Sequence, residues 1–166
     1  MASASSVVMA IRFTDSEALP ALCWLVQIGI VLTLIDWECR LLPRSVVGAA
    51  YLGGVVLLGL ASAGQADFAP LVRAVLASIV VGFLALALAV GFSPGLGGGD
   101  VTLFGTVGLY LGWIGWHEVF VGVLMSFVLA AAAATLLLAC RRIAAHDQFA
   151  MGPAIVGGAL FALLLS

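Results

Sequence analysis

The sequence predicts an all-α, polytopic membrane protein of about six transmembrane helices, and two observations lead to this prediction. The chain has 166 residues, of which 64% are hydrophobic and only 8% are charged, whereas about 25% of the residues in soluble domains are charged. The apolar residues form long runs that are interrupted by charged residues, glycine or proline. A bilayer accepts such runs but requires every backbone polar group to be paired inside the protein, and unbroken runs of this length favour helices.

Six segments come close to the roughly 20 apolar residues that a spanning helix needs. They are Leu19–Ile35, Ser45–Ala63, Leu71–Val90, Leu103–Trp116, Val119–Ala139 and Pro153–Leu165. The fourth and sixth are the shortest, and a short fourth helix is either tilted or crosses only part of the bilayer. We expect a single membrane domain over residues 1–166, with residues 1–18 as an N-terminal tail.

The arginines predict how the chain is oriented in the membrane. The chain has no lysine, and its formal net charge is -2, which gives no indication of nucleic-acid binding. If all six segments span, the first, third and fifth connections share one side, which holds Arg40, Arg44, Arg141 and Arg142. Because arginine-rich loops face the cytoplasm, we expect a protein of the inner (plasma) membrane with this side inside and both termini outside.

This topology brings two aspartates to the same membrane face. Asp36 follows the first segment and Asp100 precedes the fourth, so two segments lie between them. Taken singly, Asp36 is explained as an ordinary helix-end carboxylate and Asp100 as the N-cap of the fourth helix. However, the stretch before Asp100, residues 91–99, holds five glycines and a proline in nine residues. Glycine lets another chain approach closely, so this stretch could admit an extended substrate backbone beside a carboxylate.

A pair of aspartates at the edge of the bilayer has a specific chemical use. Two carboxylates that converge in low dielectric do not both ionise easily, so one keeps a proton near neutral pH. The ionised member can then take a proton from water while the protonated member polarises a scissile carbonyl. We therefore interpret Asp36 and Asp100 as a candidate aspartyl peptidase pair, which needs neither a cofactor nor a metal.

Three blocks of the sequence together resemble a known family. They are Ile35-Asp36 with Leu42-Pro43, Gly97-Gly98-Gly99-Asp100 with the following segment to Trp113, and the late segment Phe149–Ala154. In this order they are similar to the first-aspartate, G-x-G-D and Phe-Gly-Pro-like blocks of the type IV prepilin peptidases. These are membrane aspartyl peptidases that remove the leader from prepilins and pseudopilins. A G-x-G-D block alone is weak evidence in a glycine-rich chain, and the order of the three blocks makes the resemblance specific.

The resemblance implies the site, the substrate and the setting. It implies that Asp36 and Asp100 are the catalytic pair, and that the surrounding motifs admit the substrate; the motif residues are Gly97, Gly99, Pro43, Gly152 and Pro153. It also implies that the substrate is the cytoplasmic, leader-bearing end of a membrane-anchored prepilin or pseudopilin, in type IV pilus assembly or protein secretion. Cleavage is then expected next to a glycine, before the hydrophobic helix that assembles into the filament.

The chain departs from the family pattern in two places. Thr102 stands where the family usually has a lysine two residues after the second aspartate. Larger members also carry an N-terminal module with paired cysteines, which uses S-adenosylmethionine to methylate the product. Here 35 residues precede Asp36 and no C-x-x-C is present. We therefore expect cleavage without N-methylation, as in the short members that serve tight-adherence pili or archaeal-type flagellar systems.

Three other interpretations remain open at the level of sequence. A small transporter or channel would use acidic residues inside helices near the bilayer midplane. A pilus-assembly scaffold would keep the fold without catalysis. A presenilin-type protease also uses a G-x-G-D block, but it has Tyr before its first Asp, whereas this chain has Ile35. The sequence also leaves open whether the chain forms a homo-oligomer.

Overall fold

The computed structural model describes residues 18–39, 44–91, 97–139 and 151–166. Within these ranges the chain forms six helices, which confirms the predicted all-α fold. They are α1 (Leu19–Cys39), α2 (Arg44–Gln65), α3 (Ala69–Gly91), α4 (Gly98–Ile114), α5 (Trp116–Ala139) and α6 (Gly152–Leu165). The main difference from the sequence prediction is that α4 begins at Gly98 rather than Leu103. The end of the glycine-rich stretch, predicted to be irregular, instead forms the first turn of this helix.

The helices fall into two classes by length. Four regions are long and apolar enough to cross a membrane: Leu19–Asp36, Ser45–Gln65, Ala69–Gly91 and Trp116–Leu136. The two remaining helices are shorter, with 17 residues in α4 and 14 in α6. A helix of 17 residues is about 25 Å long, somewhat less than the roughly 30 Å hydrocarbon core. The protein is therefore a polytopic membrane protein in which the fourth and sixth helices are short, as the sequence indicates.

Helix α4 is the centre of the bundle. It contacts each of the other five helices, and from Thr106 to Trp113 every residue is buried. An apolar helix can face either other helices or lipid, and α4 is the one that the other helices surround. Phe104 on α4 also stacks on Phe127 of α5, with ring centroids 5.5 Å apart.

Small residues allow α3 and α4 to approach each other closely. A Cβ atom added at Gly112 would lie 2.5 Å from the Cβ of Ala77 and 3.0 Å from the Cα of Ala74. A Cβ added at Gly108 would lie 3.0 Å from the carbonyl oxygen of Ala77. Membrane helices associate through small residues of this kind, because the bilayer provides no hydrophobic driving force between them.

Polar contacts fix α4 at its C-terminal end and along its length. Arg73 of α3 donates hydrogen bonds to the carbonyl oxygens of Gly112 (2.8 Å), Trp113 and Ile114 (2.9 Å). These carbonyls lie in the last turn, where a helix has no partners of its own and where its dipole favours a cation. The buried hydroxyl of Tyr110 donates to the carbonyl oxygen of Ala50 on α2, at 2.8 Å. Together these contacts hold the central helix in place and so determine where Asp100, at its other end, is located.

Candidate active site

Asp36 lies near the C-terminal end of α1 and is only 3% exposed. Its Oδ2 oxygen accepts a hydrogen bond of 2.9 Å from the backbone N–H of Gly152, the first residue of α6. The first N–H groups of a helix have no partner within the helix, so a carboxylate can satisfy one of them. Asp36 is therefore a buried, hydrogen-bonded group and not a solvated carboxylate at a helix end.

Asp100 lies in the first turn of α4 and is 7% exposed. The interpretation of Asp100 as the N-cap is wrong, because Gly97 holds that position and Asp100 is the third helical residue. Its Oδ2 oxygen reaches back to accept a hydrogen bond of 3.2 Å from the N–H of Gly97. This is the side-chain half of a capping box, a role that Asp100 acquires because Gly98 and Gly99 become helical.

The second oxygen of Asp100 has a different environment. Oδ1 is buried, and it has no hydrogen-bond partner within the described ranges of the chain. Asp100 lies outside the candidate membrane spans, and its pKa is raised to about 6. Burial is the main cause, the hydrogen bond from Gly97 acts in the opposite direction, and the negative charge of Asp36 raises the pKa further. The two carboxylates are thus close enough to interact, and Asp100 holds its proton more tightly than an ordinary aspartate.

A family comparison assigns the chain to a known class of protein. A family model described as the type IV leader peptidase family matches residues 23–140, which include both aspartates. The chain belongs to the type IV leader peptidase family. Comparison with curated proteins and with solved structures gives no match.

Membership of the type IV leader peptidase family confirms the resemblance seen in the sequence. It identifies the protein as a peptidase of a family that acts on prepilins. Together with the apolar helices, it also indicates a multi-pass protein of the inner membrane. The late segment that contains Gly152 lies beyond the matched residues, so its place beside Asp36 is known from the structure alone.

The structure of this leader peptidase brings together four of the residues that the sequence marked. Asp36 contacts Gly152, Asp100 contacts Gly97, and the charges of the two aspartates interact. Gly99 forms part of the first turn of α4, and Pro153 is the second residue of α6. Pro43 lies outside the described residues, as do Arg40, Arg141, Arg142 and the side chain of Arg44.

Thr102, which replaces the family's usual lysine, is exposed, and its hydroxyl bonds to the backbone of its own helix. Its hydroxyl donates to the carbonyl oxygen of Gly99 at 2.8 Å. Thr102 therefore bonds within the first turn of α4 and supplies no positive charge near Asp100. Thr102 also lines a groove of about 390 Å³ between α2, α3 and α4, together with Gly48, Gly82 and Gly105. Val101 and Thr102, which directly follow Asp100 in the chain, are both among the residues that line this groove.

Sequence reasoning missed the role of the backbone N–H groups at this site. It marked Gly97 and Gly152 as places where a substrate could approach, but in the structure each one donates a hydrogen bond to an aspartate. One available signal was Gly152-Pro153, since proline is frequent in the first turn of a helix and marks a helix start near Gly152. The partner of this helix start, Asp36, lies 116 residues away in the chain and carries no local signal.

Proposed function

We propose that the protein is a membrane aspartyl endopeptidase that cleaves the leader peptide of type IV prepilin-like proteins at the cytoplasmic membrane face. Asp36 and Asp100 are its catalytic pair. The main support is that both carboxylates are buried and their charges interact. In addition, the Oδ1 oxygen of Asp100 has no hydrogen-bond partner among the described residues, and the pKa of Asp100 is raised to about 6. A buried carboxyl group of this kind can hold a proton for catalysis at a higher pH than an ordinary aspartate.

The two aspartates have different environments, which suggest different roles. Asp36, as the ionised member stabilised by the Gly152 N–H, takes a proton from a water molecule whose oxygen attacks the scissile carbonyl carbon. Asp100, as the protonated member, donates a hydrogen bond to the carbonyl oxygen and stabilises the developing negative charge. When the C–N bond breaks, the proton held by Asp36 passes to the leaving amine. Each aspartate has then returned to its starting protonation state.

The substrate and its direction of approach follow from the family and from the site's surroundings. We propose that the extended leader region of the prepilin lies along the segment containing Gly97 and Gly99, with Pro153 bordering its path. Cleavage next to a glycine leaves the hydrophobic helix of the prepilin in the bilayer. The four arginines of the first and fifth connections support a cytoplasmic location of the site, with the tail 1–18 outside. The proposed peptidase is a single domain over residues 1–166.

The transporter interpretation receives no support from the structure. In the described ranges the acidic residues lie near helix ends or between helices, and none lies in the middle of a membrane span. Ion and proton pathways in transporters place such residues near the bilayer midplane. The scaffold interpretation is distinguished from the peptidase by measuring cleavage directly.

The direct test is to co-express the protein with a prepilin in cells that lack their own leader peptidase. We expect a gel shift that corresponds to leader removal, and a mass for the new N-terminus that shows no added methyl group. The control is the same cell with a variant carrying both Asp36→Asn and Asp100→Asn. A prepilin that stays uncut beside a stably inserted wild-type protein would instead favour the scaffold.

The orientation of the site has its own test. A reporter fused after Arg142 should show a cytoplasmic location, and one fused in the connection between α2 and α3, after Ala66, should show an external location. If the reporter after Arg142 is external and the one after Ala66 is cytoplasmic, the protein is inverted and the site faces away from the cytoplasm; if both are external, the six-helix topology is wrong.

The pH dependence of cleavage should reflect the raised pKa of Asp100. An aspartate with a pKa raised from 3.8 to about 6 is mostly protonated below pH 6 and loses its proton above it. Since the proposed role of Asp100 needs the proton, the alkaline limb of the kcat/KM profile should have its midpoint near pH 6. Cleavage rates in proteoliposomes between pH 4 and 9 would measure this. A profile that has already collapsed by pH 5 would contradict the assignment of the proton to Asp100.

A further inference from the structure

The start of α6 is capped by a residue from another helix. Its N-cap, Met151, makes no side-chain hydrogen bond, and the first turn contains no acidic residue. The positive end of a helix dipole is usually offset by such groups. Here the carboxylate of Asp36, on α1, takes that place through the N–H of Gly152. Asp36 therefore both holds α6 against α1 and is a member of the proposed catalytic pair.

Only one donor in the first turn of α6 is left for this contact. The N–H groups of Ala154 and Ile155 both donate to the carbonyl oxygen of Met151, at 3.1 Å. Pro153 has no N–H, because its nitrogen is part of the ring. The N–H of Gly152 is thus the single free donor among the first four residues of the helix, and Asp36 receives it.

The contact requires glycine at position 152. A Cβ atom there would lie 2.6 Å from Oδ2 of Asp36 and 3.1 Å from its Cγ. To restore an ordinary contact of 3.4 Å, the carboxylate or the start of α6 would have to move by about 0.8 Å. Asp36 is buried, so it has little room to move without disturbing its neighbours.

We propose that Gly152 is a positioning residue for Asp36. Its N–H fixes the Oδ2 oxygen, and its lack of a side chain lets α6 approach closely enough for this bond, so that the second carboxylate oxygen is directed to the attacking water. This inference rests on the proposed function. It assigns to Gly152 a role in catalysis through Asp36, in place of the substrate approach that the sequence suggested.

The groups that can influence Asp36 electrostatically are few on the helices that pack against it. Helix α6 carries no titratable side chain. Helix α4 contributes Asp100 and Tyr110, and the Tyr110 hydroxyl is bound to the carbonyl of Ala50. Helix α2 contributes Tyr51. Glu38 on α1 and Arg44 at the start of α2 are also nearby in the chain, but their side chains lie outside the described part of the structure. Among the described side chains, Asp100 is the one whose charge interacts with that of Asp36.

The first test compares Gly152→Ala with Gly157→Ala in the same helix. At Gly157 the added Cβ would meet only the end of the Leu129 side chain, at 3.2 Å. We expect Gly152→Ala to reduce kcat about 100-fold, because a displacement approaching 1 Å of a catalytic group has an effect of this size. The acid limb of its pH profile should also move to higher pH, because a hydrogen bond to the ionised carboxylate favours that form. A mere loss of folded protein would lower the whole profile without moving the limb.

The second test measures the Tm and so does not depend on activity. If the Cβ at position 152 is harmful because it meets the Asp36 carboxylate, then Gly152→Ala should lower the Tm in the wild-type background and have little effect in an Asp36→Ala background. An equal loss of Tm in both backgrounds would overturn the proposal, as would a Gly152→Ala enzyme with the kcat and pH profile of Gly157→Ala. These outcomes differ from failure of the proposed function, in which Asp36→Asn and Asp100→Asn would themselves still cleave prepilin.

Discussion

Replacing either Asp36 or Asp100 with asparagine is expected to reduce prepilin cleavage by about 10³-fold or more. Asparagine keeps the size of the side chain and can still accept the hydrogen bond from Gly152 or Gly97. It can neither take a proton from water nor give one up, and acid–base catalysis contributes about 10²–10⁴ to a rate. The measurement is the initial rate of leader removal by purified protein in proteoliposomes, normalised to the folded protein present.

A matched control lies in the connection between α2 and α3. Asp67 is exposed, and its Oδ1 accepts a hydrogen bond of 2.9 Å from the N–H of Ala69. Asparagine serves this capping role about as well, so Asp67→Asn should leave the cleavage rate unchanged. Substantial cleavage by Asp36→Asn or Asp100→Asn would refute the catalytic pair. A similar loss in all three variants would show that the assay reports membrane insertion and not chemistry.

Replacing Gly112 with alanine should destabilise the bundle by about 1–3 kcal/mol, because the added methyl group overpacks the contact between α3 and α4. Its Cβ would meet the Cβ of Ala77 at 2.5 Å and the backbone of Ala74 and Arg73 at 3.0 and 3.2 Å. Backbone atoms cannot relieve the contact by changing rotamer, so the helices must move apart. Separation would also weaken the hydrogen bonds between Arg73 and the end of α4. Thermal unfolding in detergent, followed by circular dichroism, measures the effect.

The same substitution at Gly59 should change the stability in the opposite direction. A Cβ added at Gly59 would meet nothing within 4 Å, and alanine in a helix interior is more favourable than glycine by about 0.5–1 kcal/mol. Gly59→Ala should therefore raise the Tm slightly while Gly112→Ala lowers it. Equal effects at the two positions would contradict the close approach of α3 and α4.

Much of the fold could be predicted from the sequence, because hydrophobicity over a whole membrane segment is a property of consecutive residues. Six apolar runs became six helices, and the short fourth and sixth runs became the short helices α4 and α6. The least accurate boundary was the start of α4, where Gly98 and Gly99 are helical. Glycine has low intrinsic helix propensity, so its helical state here depends on the Asp100 contact with Gly97 and on the packing of α4.

The sequence by itself predicted that Asp36 and Asp100 lie at the same membrane face, because an even number of helices between them returns the chain to that face. It also determined the family, through three motifs in order. Only the tertiary structure decided how each carboxylate is held. The N–H of Gly152 reaches Asp36 from 116 residues away, and Oδ1 of Asp100 is buried without a partner in the described part of the chain. Such contacts depend on which helix ends meet in space, and no local pattern of residues encodes how far apart two helix ends lie.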